Sequence, residues 1–537
     1  MKAARRRSGF LALLLAGLGA PALHAQMPPG WREARPLGSD MPAGQAWYGA
    51  GFWAADRHGP PATFVQSLGL GNSLVGGGMY LEAGKASGGW DLAGQVLLYK
   101  DPNGGDRASL QQGHITFQTT RGWHFGIEKE PLVWGYGLNG GYVLGEAARP
   151  FPRFRIQSPF HALSIAGVPL GTWQGQVFWG KLESRRSLGE NVQDPAYRQT
   201  LLAQDPQGPL ISGVRAEAKF GDDAEFYLNW INLFAGTVGG RAMAQGYGLG
   251  DWFTAMFGLK DSLAEGSNLP SDPNAPQSHT YANKARSAST SDVGFRFRSQ
   301  VMEHWLEARD VRFYISRGAK GVNTLFGSVY HRPLYTLSQD IQRDWKYLVV
   351  DRSPRRVWNQ KWRYWAPSPE VPNDTIGVLV TWTRLRLGLE YQDTSNDWDQ
   401  FPGTPVPNGH RSFENGVYPT GFYYQGDPLG TALGGEAHVA TLRAEWEANH
   451  AWSFQTWLHR GGRPFRDHLD LWSQAHPGQA PGINHFLGLQ QLVAYRGASG
   501  FRASAGASWQ HQDAVAYQSG VSGNGFRWFL ETGWRWR

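Results

Sequence analysis

The sequence predicts an all-β protein, a transmembrane antiparallel outer-membrane β-barrel with long extracellular loops. Two observations carry this prediction. Segments of about ten residues alternate between apolar and polar side chains, which is the pattern and length of a tilted strand that crosses a bilayer. Tight turns and long polar loops then follow one another along the chain, as periplasmic turns and extracellular loops do in such barrels.

The alternation is clearest in one predicted β-hairpin. Val214–Phe220 has apolar side chains at its even positions, with Arg215, Glu217 and Lys219 between them, and residues 221–223 then turn the chain. A soluble sandwich would produce the same alternation, but the number and length of the segments favour a barrel. The same pattern recurs at residues 226–230, 385–391, 442–448 and 526–537.

About sixteen to twenty alternating segments lie between Trp47 and Trp536. No helical periodicity of useful length interrupts them. The predicted tight turns are residues 87–89, 120–122, 221–223 and 449–450. The predicted long loops are residues 185–208, 236–290, 396–436 and 460–484.

The N-terminal region has the layout of a secretory signal peptide. Four basic residues within positions 2–7 precede an apolar run from Phe10 to Leu23, and the small residue Ala25 follows. The apolar run is shorter than the roughly 20 residues that a spanning helix needs. The predicted organisation is a signal peptide at 1–25, a short N-terminal periplasmic segment at 26–45 and a barrel at 46–537.

Composition agrees with a secreted barrel that has no general affinity for anions. The formal charge is +7, but the predicted signal peptide carries four of the 51 basic residues, so 47 remain against 44 acidic ones. Nucleic acid is therefore not an expected partner. The chain contains no cysteine, so its stability must come from core packing or sheet closure. Its 70 glycines and 25 tryptophans suit strand bends and interfacial aromatic belts.

The sequence contains no recognisable catalytic motif. A nucleophile elbow, a zinc-protease motif and a phosphate-binding loop are all absent, and neither a metal nor a cofactor is expected. Residues 135–140 match the dinucleotide fingerprint, but a turn-rich stretch follows instead of the required helix. Glu307, Asp310 and Asp393 could serve as paired carboxylates, although acids on the polar face of barrel strands are usually lumen ion pairs. We therefore expect a protein that is not an enzyme.

Two stretches resemble the Wzi family of capsule-assembly proteins. Residues 125–159 contain a Trp-Gly-x-Gly turn, a short apolar run and a Pro-x-Pro that leads into a strand. Residues 389–394, 414–418 and 430–434 are similar to the C-terminal half of the family. The resemblance implies an 18-stranded barrel of the Gram-negative outer membrane that acts as a surface lectin. Its implied partners are capsular or exopolysaccharide, outer-membrane lipid and, during biogenesis, the barrel-assembly machinery.

The chain departs from the family near its N-terminus. Family members carry helical periplasmic segments there, whereas residues 27–45 are rich in Pro and Gly and strand-like sequence begins near Trp47. The role of those helices is therefore not carried over to this chain. A diffusion or polysaccharide-export porin remains the alternative function, and measurable ion conductance would distinguish it from an occluded lectin.

Two groups of residues are candidate functional sites. Within residues 351–365, basic and aromatic side chains interleave, and such a cluster could bind an acidic glycan through ion pairs and stacking. A basic lumen strand with interfacial Trp residues is the equally weighted alternative. The second group is a glycine-rich turn whose glycines indicate a tight backbone fold, an inward plug loop that narrows the lumen. A structural use of this turn is favoured over contact with a ligand. The first group is Arg352, Arg355, Arg356, Trp358, Lys361, Trp362 and Arg363. The second group is Trp134, Gly135, Gly137, Arg149, Pro150 and Pro152.

Overall fold

A computed structural model describes most of the predicted barrel domain. The described residues are 37, 44–59, 75–100, 106–145, 149–165, 167–186, 206–238, 241–245, 247–257, 287–319, 373–394, 422–424, 427–431, 437–464, 477–479, 482–497 and 499–536. The predicted signal peptide lies outside them, so it stays a prediction.

The described chain is built almost entirely of β-strands. They are β1 (Ala46–His58), β2 (Gly76–Ser87), β3 (Trp90–Lys100), β4 (Asp106–Gln118), β5 (His124–Lys129), β6 (Arg153–Gln157), β7 (His161–Ile165), β8 (Val168–Lys181), β9 (Leu210–Phe220), β10 (Ala224–Phe234), β11 (Thr237–Val238), β12 (Arg241–Ala242), β13 (Ser287–Arg298), β14 (Asp310–Ala319), β15 (Asn373–Thr381), β16 (Leu385–Asp393), β17 (Tyr423–Tyr424), β18 (Asp427–Pro428), β19 (His438–Glu447), β20 (Trp452–Pro464), β21 (Ile483–Arg496), β22 (Phe501–Gln512) and β23 (Gly523–Trp536).

The main sheet closes on itself into a barrel. Nineteen of these strands form one antiparallel sheet, and β1 pairs with both β2 and β23. β6 and β7 lie end to end against the same edge of β8, so they count as one interrupted strand. The barrel therefore has eighteen strands, and the predicted fold is confirmed.

The two faces of the sheet have opposite chemistry. Leu81, Ile127 and Leu530 are exposed on the outer face, where a bilayer would cover them. On the inner face polar side chains are buried and paired, as between Arg215 Nη2 and Glu217 Oε2 at 2.8 Å. The alternation in the sequence therefore reports these two faces correctly.

The connections differ in length at the two ends of the barrel, which we call the short-turn end and the long-loop end. The four predicted tight turns are confirmed and lie at the short-turn end. Two predicted loop boundaries need correction, because β13 already begins at Ser287 and β20 continues to Pro464. At the start of β13 and at the end of β20 the residues still pair with the neighbouring strand. Their sequence is too polar to show the alternation that predicts a strand.

Aromatic side chains follow the outer face at the short-turn end. Interfacial aromatic rings of this kind mark the boundary of the hydrocarbon layer in membrane barrels. Three cross-strand pairs of this short-turn girdle are Tyr48–Trp536, Phe297–Phe313 and Trp446–Phe454, with ring centroids 5.6, 5.4 and 5.3 Å apart.

Two short helices interrupt the strands. Helix α1 (Leu249–Met256) lies in the connection from β10 to β13, and helix α2 (Gln300–Leu306) connects β13 to β14 at the short-turn end. At eight and seven residues they are too short to show helical periodicity in the sequence, which predicted none. No helix among the described residues is long and apolar enough to cross a membrane.

Candidate functional site

The connection between β5 and β6, residues 130–152, folds into the barrel interior, and we call it the lumen loop. Residues 146–148 of this loop lie outside the described residues. The two arms of the loop pair through the backbone, where Trp134 N–H donates to the Leu144 carbonyl oxygen at 3.0 Å. Only glycine fits at position 141, because a Cβ there would lie 1.5 Å from the Trp134 carbonyl oxygen. This close approach forms the narrow neck of the loop.

Trp134 anchors the neck to the adjacent wall. Its side chain is 1% exposed, and its indole Nε1–H donates to Gln176 Oε1 on β8 at 2.7 Å. The ring also packs against Phe178 with centroids 5.2 Å apart. A buried indole N–H needs such an acceptor, so one residue provides both apolar packing and a polar tie. Phe151 extends this cluster near the exit of the loop.

The tip of the loop is held by Glu390 on β16. The carboxylate accepts hydrogen bonds from Leu138 N–H at 2.5 Å, Asn139 N–H at 3.2 Å and Asn139 Nδ2–H at 2.7 Å. It also accepts from the Tyr314 hydroxyl at 2.7 Å. Asn139 Nδ2–H reaches Thr441 Oγ1 on β19 at 2.9 Å. Around the ring, β16 and β19 lie opposite β5 and β6, so the loop crosses the lumen.

Tyr136 joins the middle of the loop to a third part of the wall. Its ring meets Tyr227 edge to face, with centroids 4.8 Å apart and an interplanar angle of 70°. The Arg296 guanidinium carbon lies 4.4 Å from the centroid of the Tyr136 ring. Burial, with Glu225 nearby, raises the pKa of Tyr136 above its usual value, so the hydroxyl stays protonated. Aromatic and cation–π contacts therefore add to the hydrogen bonds at the tip.

Ionic contacts hold the start of the loop. Glu130 Oε1 lies 2.8 Å from His114 Nδ1 on β4, and Arg153 Nη1–H donates to the Glu130 carbonyl oxygen at 2.6 Å. Burial raises the pKa of Glu130, and the hydrogen bond from His114 opposes that effect. Arg153 also pairs with Glu128, the last acid before the loop. The loop is thus fixed at its start, neck, middle and tip.

The lumen wall beside the loop carries paired charges of both signs. Glu225 on β10 contacts Arg296 at 2.5 Å and Arg312 at 3.3 Å. Asp310, considered above as a catalytic carboxylate, instead pairs with Arg312 at 3.0 Å. Among the residues that the structure describes, no cluster of three or more His, Asp or Glu side chains is placed to hold a metal ion.

The predicted site residues divide into two groups in the structure. Trp134, Gly135 and Gly137 lie in the lumen loop, and Gly135 has a φ of +124°, which favours glycine. At the exit of the loop Arg149 is partly buried, Pro150 is buried and Pro152 is exposed. Arg352, Arg355, Arg356, Trp358, Lys361, Trp362 and Arg363 all lie outside the described residues.

Sequence reasoning missed the residues that receive the loop. Glu390, Tyr314 and Gln176 are ordinary polar positions of alternating strands, and nothing in their local sequence marks them. Asn139 lies within the apparent nucleotide fingerprint, but residues 135–140 form part of the lumen loop and no helix follows them. The only local signal was the density of glycine, which indicated a tight fold without showing what it contacts.

Comparison with known proteins finds two likenesses to capsule-assembly proteins. A family model described as capsule assembly protein Wzi matches residues 74–308, from the start of β2 to beyond α2, including the lumen loop. The barrel is similar to that of Wzi from Escherichia coli, a carbohydrate-binding outer-membrane β-barrel involved in group 1 capsule assembly. The TM-score is 0.53 at 14% identity, covering 90% of this chain and 83% of that one.

Weaker likenesses extend to other outer-membrane proteins. Pseudomonas aeruginosa OprD gives a TM-score of 0.42 at 9% identity, covering 94% of this chain and 96% of that one. OpdK from the same organism gives 0.42 at 9%, covering 92% and 100%. Among curated proteins, none matches this chain. The barrel and the family match place the chain in the Gram-negative outer membrane. In barrels of that membrane the short turns face the periplasm.

Proposed function

We propose that this barrel is a polysaccharide-binding lectin, not an enzyme, and that it assists the attachment or assembly of capsule or exopolysaccharide at the cell surface. The lumen loop is the observation that carries the proposal. Hydrogen bonds, an ion pair and aromatic contacts fasten it to both sides of the lumen, from Gln176 to Glu390. A loop fastened on both sides narrows the lumen. This suits a barrel that holds polysaccharide at the cell surface and does not conduct it.

The family match supports the polysaccharide partner. Its matched region contains the lumen loop, and the E. coli protein with the similar barrel is described as binding carbohydrate. A diffusion or export porin is the alternative, because the lumen wall is lined with charged pairs such as Glu225–Arg296. Ion conductance distinguishes the two functions, since a porin needs a continuous water path.

The glycan-binding surface proposed here is the basic and aromatic segment 351–365. Guanidinium groups pair with sugar carboxylates in a bidentate way, and Trp rings stack on the apolar faces of sugars. Its place in the sequence between β14 and β15 supports the proposal, because β14 ends and β15 begins at the long-loop end of the barrel. We expect an acidic polysaccharide, since Arg352, Arg355 and Arg356 would offer it three positive charges.

The test replaces Arg355, Arg356 and Trp358 by Ala and measures both cell-associated polysaccharide and binding of the purified barrel to the capsule of its host. We expect weaker retention and at least tenfold weaker binding, because each lost charged hydrogen bond contributes about 1.5–3 kcal/mol. The matched control replaces Arg384, a basic residue at the periplasmic end, by Ala. Unchanged retention by a correctly inserted triple variant would remove this surface from the proposal.

A further inference from the structure

Helix α2 is an unusual connection for the periplasmic end of this barrel. The neighbouring connections β9–β10 and β15–β16 are tight turns of three residues, 221–223 and 382–384. Between β13 and β14 the chain instead forms a helical turn, Gln300–Leu306, capped by Ser299. A tight turn would be enough to reverse the chain here, so the helix indicates an additional role.

The helix is held firmly against the rim. Glu303 Oε1 and Oε2 accept hydrogen bonds from the Arg298 guanidinium at 2.6 and 2.9 Å. Glu303 also accepts from Val311 N–H at 3.1 Å. At the other end of the helix, Trp382 Nε1–H donates to the Leu306 carbonyl oxygen at 3.1 Å. These contacts fix the direction in which the remaining face of the helix points.

The position of Val311 indicates that α2 covers the outer side of the barrel wall. Val311 lies two residues before Phe313 and four before Ile315 on β14. Alternate residues of a strand point to the same face, so the Val311 side chain belongs to the lipid-facing surface. Ile315 is 47% exposed, whereas Val311, at the foot of the strand beside α2, is fully buried. The helix therefore continues the lipid-facing surface just below the Phe297–Phe313 pair of the short-turn girdle.

The face of α2 away from the wall exposes two apolar side chains, with the exposed His304 beside them. Val301 and Trp305, one helical turn apart, are 79% and 76% exposed. Arg309, which follows the helix, is exposed as well. An indole beside aliphatic and basic side chains is the composition that favours the headgroup boundary of a bilayer, where the ring is partly dehydrated and the cation meets phosphate.

We propose that α2 is an interfacial anchor, with Val301 and Trp305 inserted at the phospholipid headgroup boundary of the inner leaflet of the outer membrane. Continuity with the girdle favours lipid as the occupant of this face over a second copy of the chain or a periplasmic protein. The anchor would fix the depth of the barrel at β13–β14. It is independent of any glycan bound at the other end.

The test uses nitroxide labels on the full chain in nanodiscs of phosphatidylethanolamine and phosphatidylglycerol. The chain contains no cysteine, so Val301→Cys and Trp305→Cys each give a single labelling site. His450→Cys, in the exposed turn between β19 and β20, is the matched control. The measurement is the ratio of collision rates with oxygen, which concentrates in lipid, to those with a water-soluble nickel chelate.

We expect the oxygen-to-nickel ratio to be several-fold higher at 301 and 305 than at 450, and to fall to the control value when the same proteins are studied in a detergent-free amphipathic polymer without lipid. A ratio equal to that at 450 in nanodiscs would overturn the anchor. Loss of access to both reagents would show that protein covers the face, and dipolar broadening between labels would assign that cover to a second copy. Two label sites keep the test decisive if one substitution disturbs the helix.

Discussion

A single carboxylate receives the tip of the lumen loop. Glu390 is 1% exposed and accepts two backbone N–H groups, one side-chain amide and one hydroxyl. A carboxylate meets this demand because it is acceptor-only and has room for about four hydrogen bonds. Residues 137 and 141 must then be glycine, because a Cβ at either place would lie 2.5 Å or less from a carbonyl oxygen of the loop. One acid and two glycines thus determine how the tip docks.

Replacing Glu390 by Gln should loosen the loop without unfolding the barrel. The amide keeps the shape of the side chain but turns an NH₂ group toward donors, so at least one charged hydrogen bond of about 1.5–3 kcal/mol is lost. That loss corresponds to roughly 10- to 150-fold more frequent opening. Hydrogen exchange of the peptide that contains residues 138–139 measures it. Asp56→Asn, which changes a partly exposed acid paired with His58 on β1, should leave this exchange unchanged; equal effects of the two variants would contradict this account of the loop.

At the scale of elements, the lumen loop works as a brace from one wall to the other. Its contacts run from Gln176 on β8 through Tyr227 on β10 to Glu390 on β16. A connection of this length would cover little of the lumen if it stayed at the rim. Because it folds inward, the Tyr136 ring and the Asn139 amide contact the inner wall, and we expect them to narrow the path that ions would follow.

Deleting residues 131–150 should therefore raise the single-channel conductance of the barrel in planar bilayers severalfold. The strands remain closed, since Glu128 pairs with Arg153 in the β5–β6 register on either side of the deletion. Trp305→Ala, which changes the chain outside the lumen, is the control and should conduct like the wild type. A deletion variant that inserts correctly and conducts no better than the wild type would show that the loop does not occlude the lumen.

At the scale of the whole molecule, the sequence predicts the barrel well and the candidate site poorly. Strand alternation is local, so residues 214–220 and 385–391 reveal their faces without any knowledge of partners. The docking of the lumen loop is not local, because Asn139 and Glu390 are 251 positions apart in the chain. Helix α2 is a local element, but it was still not predicted. It has fewer than two full turns, which is too few to show a helical period in the sequence.

Closure of the barrel depends on a seam that joins the two ends of the chain. Glu82 on β2 reaches across β1 to Arg535 on β23, with Oε1 2.9 Å from Nε and Oε2 3.0 Å from Nη2, and it also contacts Arg502. Gly49 on β1 makes room, because a Cβ there would lie 2.6 Å from Glu82 Oε1. The carboxylate is thus tied to both of the last two strands while it lies nearly out of solvent.

Glu82→Gln should lower the stability of the closed barrel by about 3 kcal/mol, because it leaves the buried Arg535 guanidinium and the partly buried Arg502 guanidinium without their carboxylate. The temperature at which the compact band on a semi-native gel converts to the unfolded band measures this loss. Asp56→Asn removes a carboxylate from the same seam, but Asp56 pairs with His58 where both side chains are largely exposed, so about 0–1 kcal/mol is expected. If the two variants shift the transition equally, closure rests on the strand hydrogen bonds alone, and the buried ion pairs of the seam only fill the lumen.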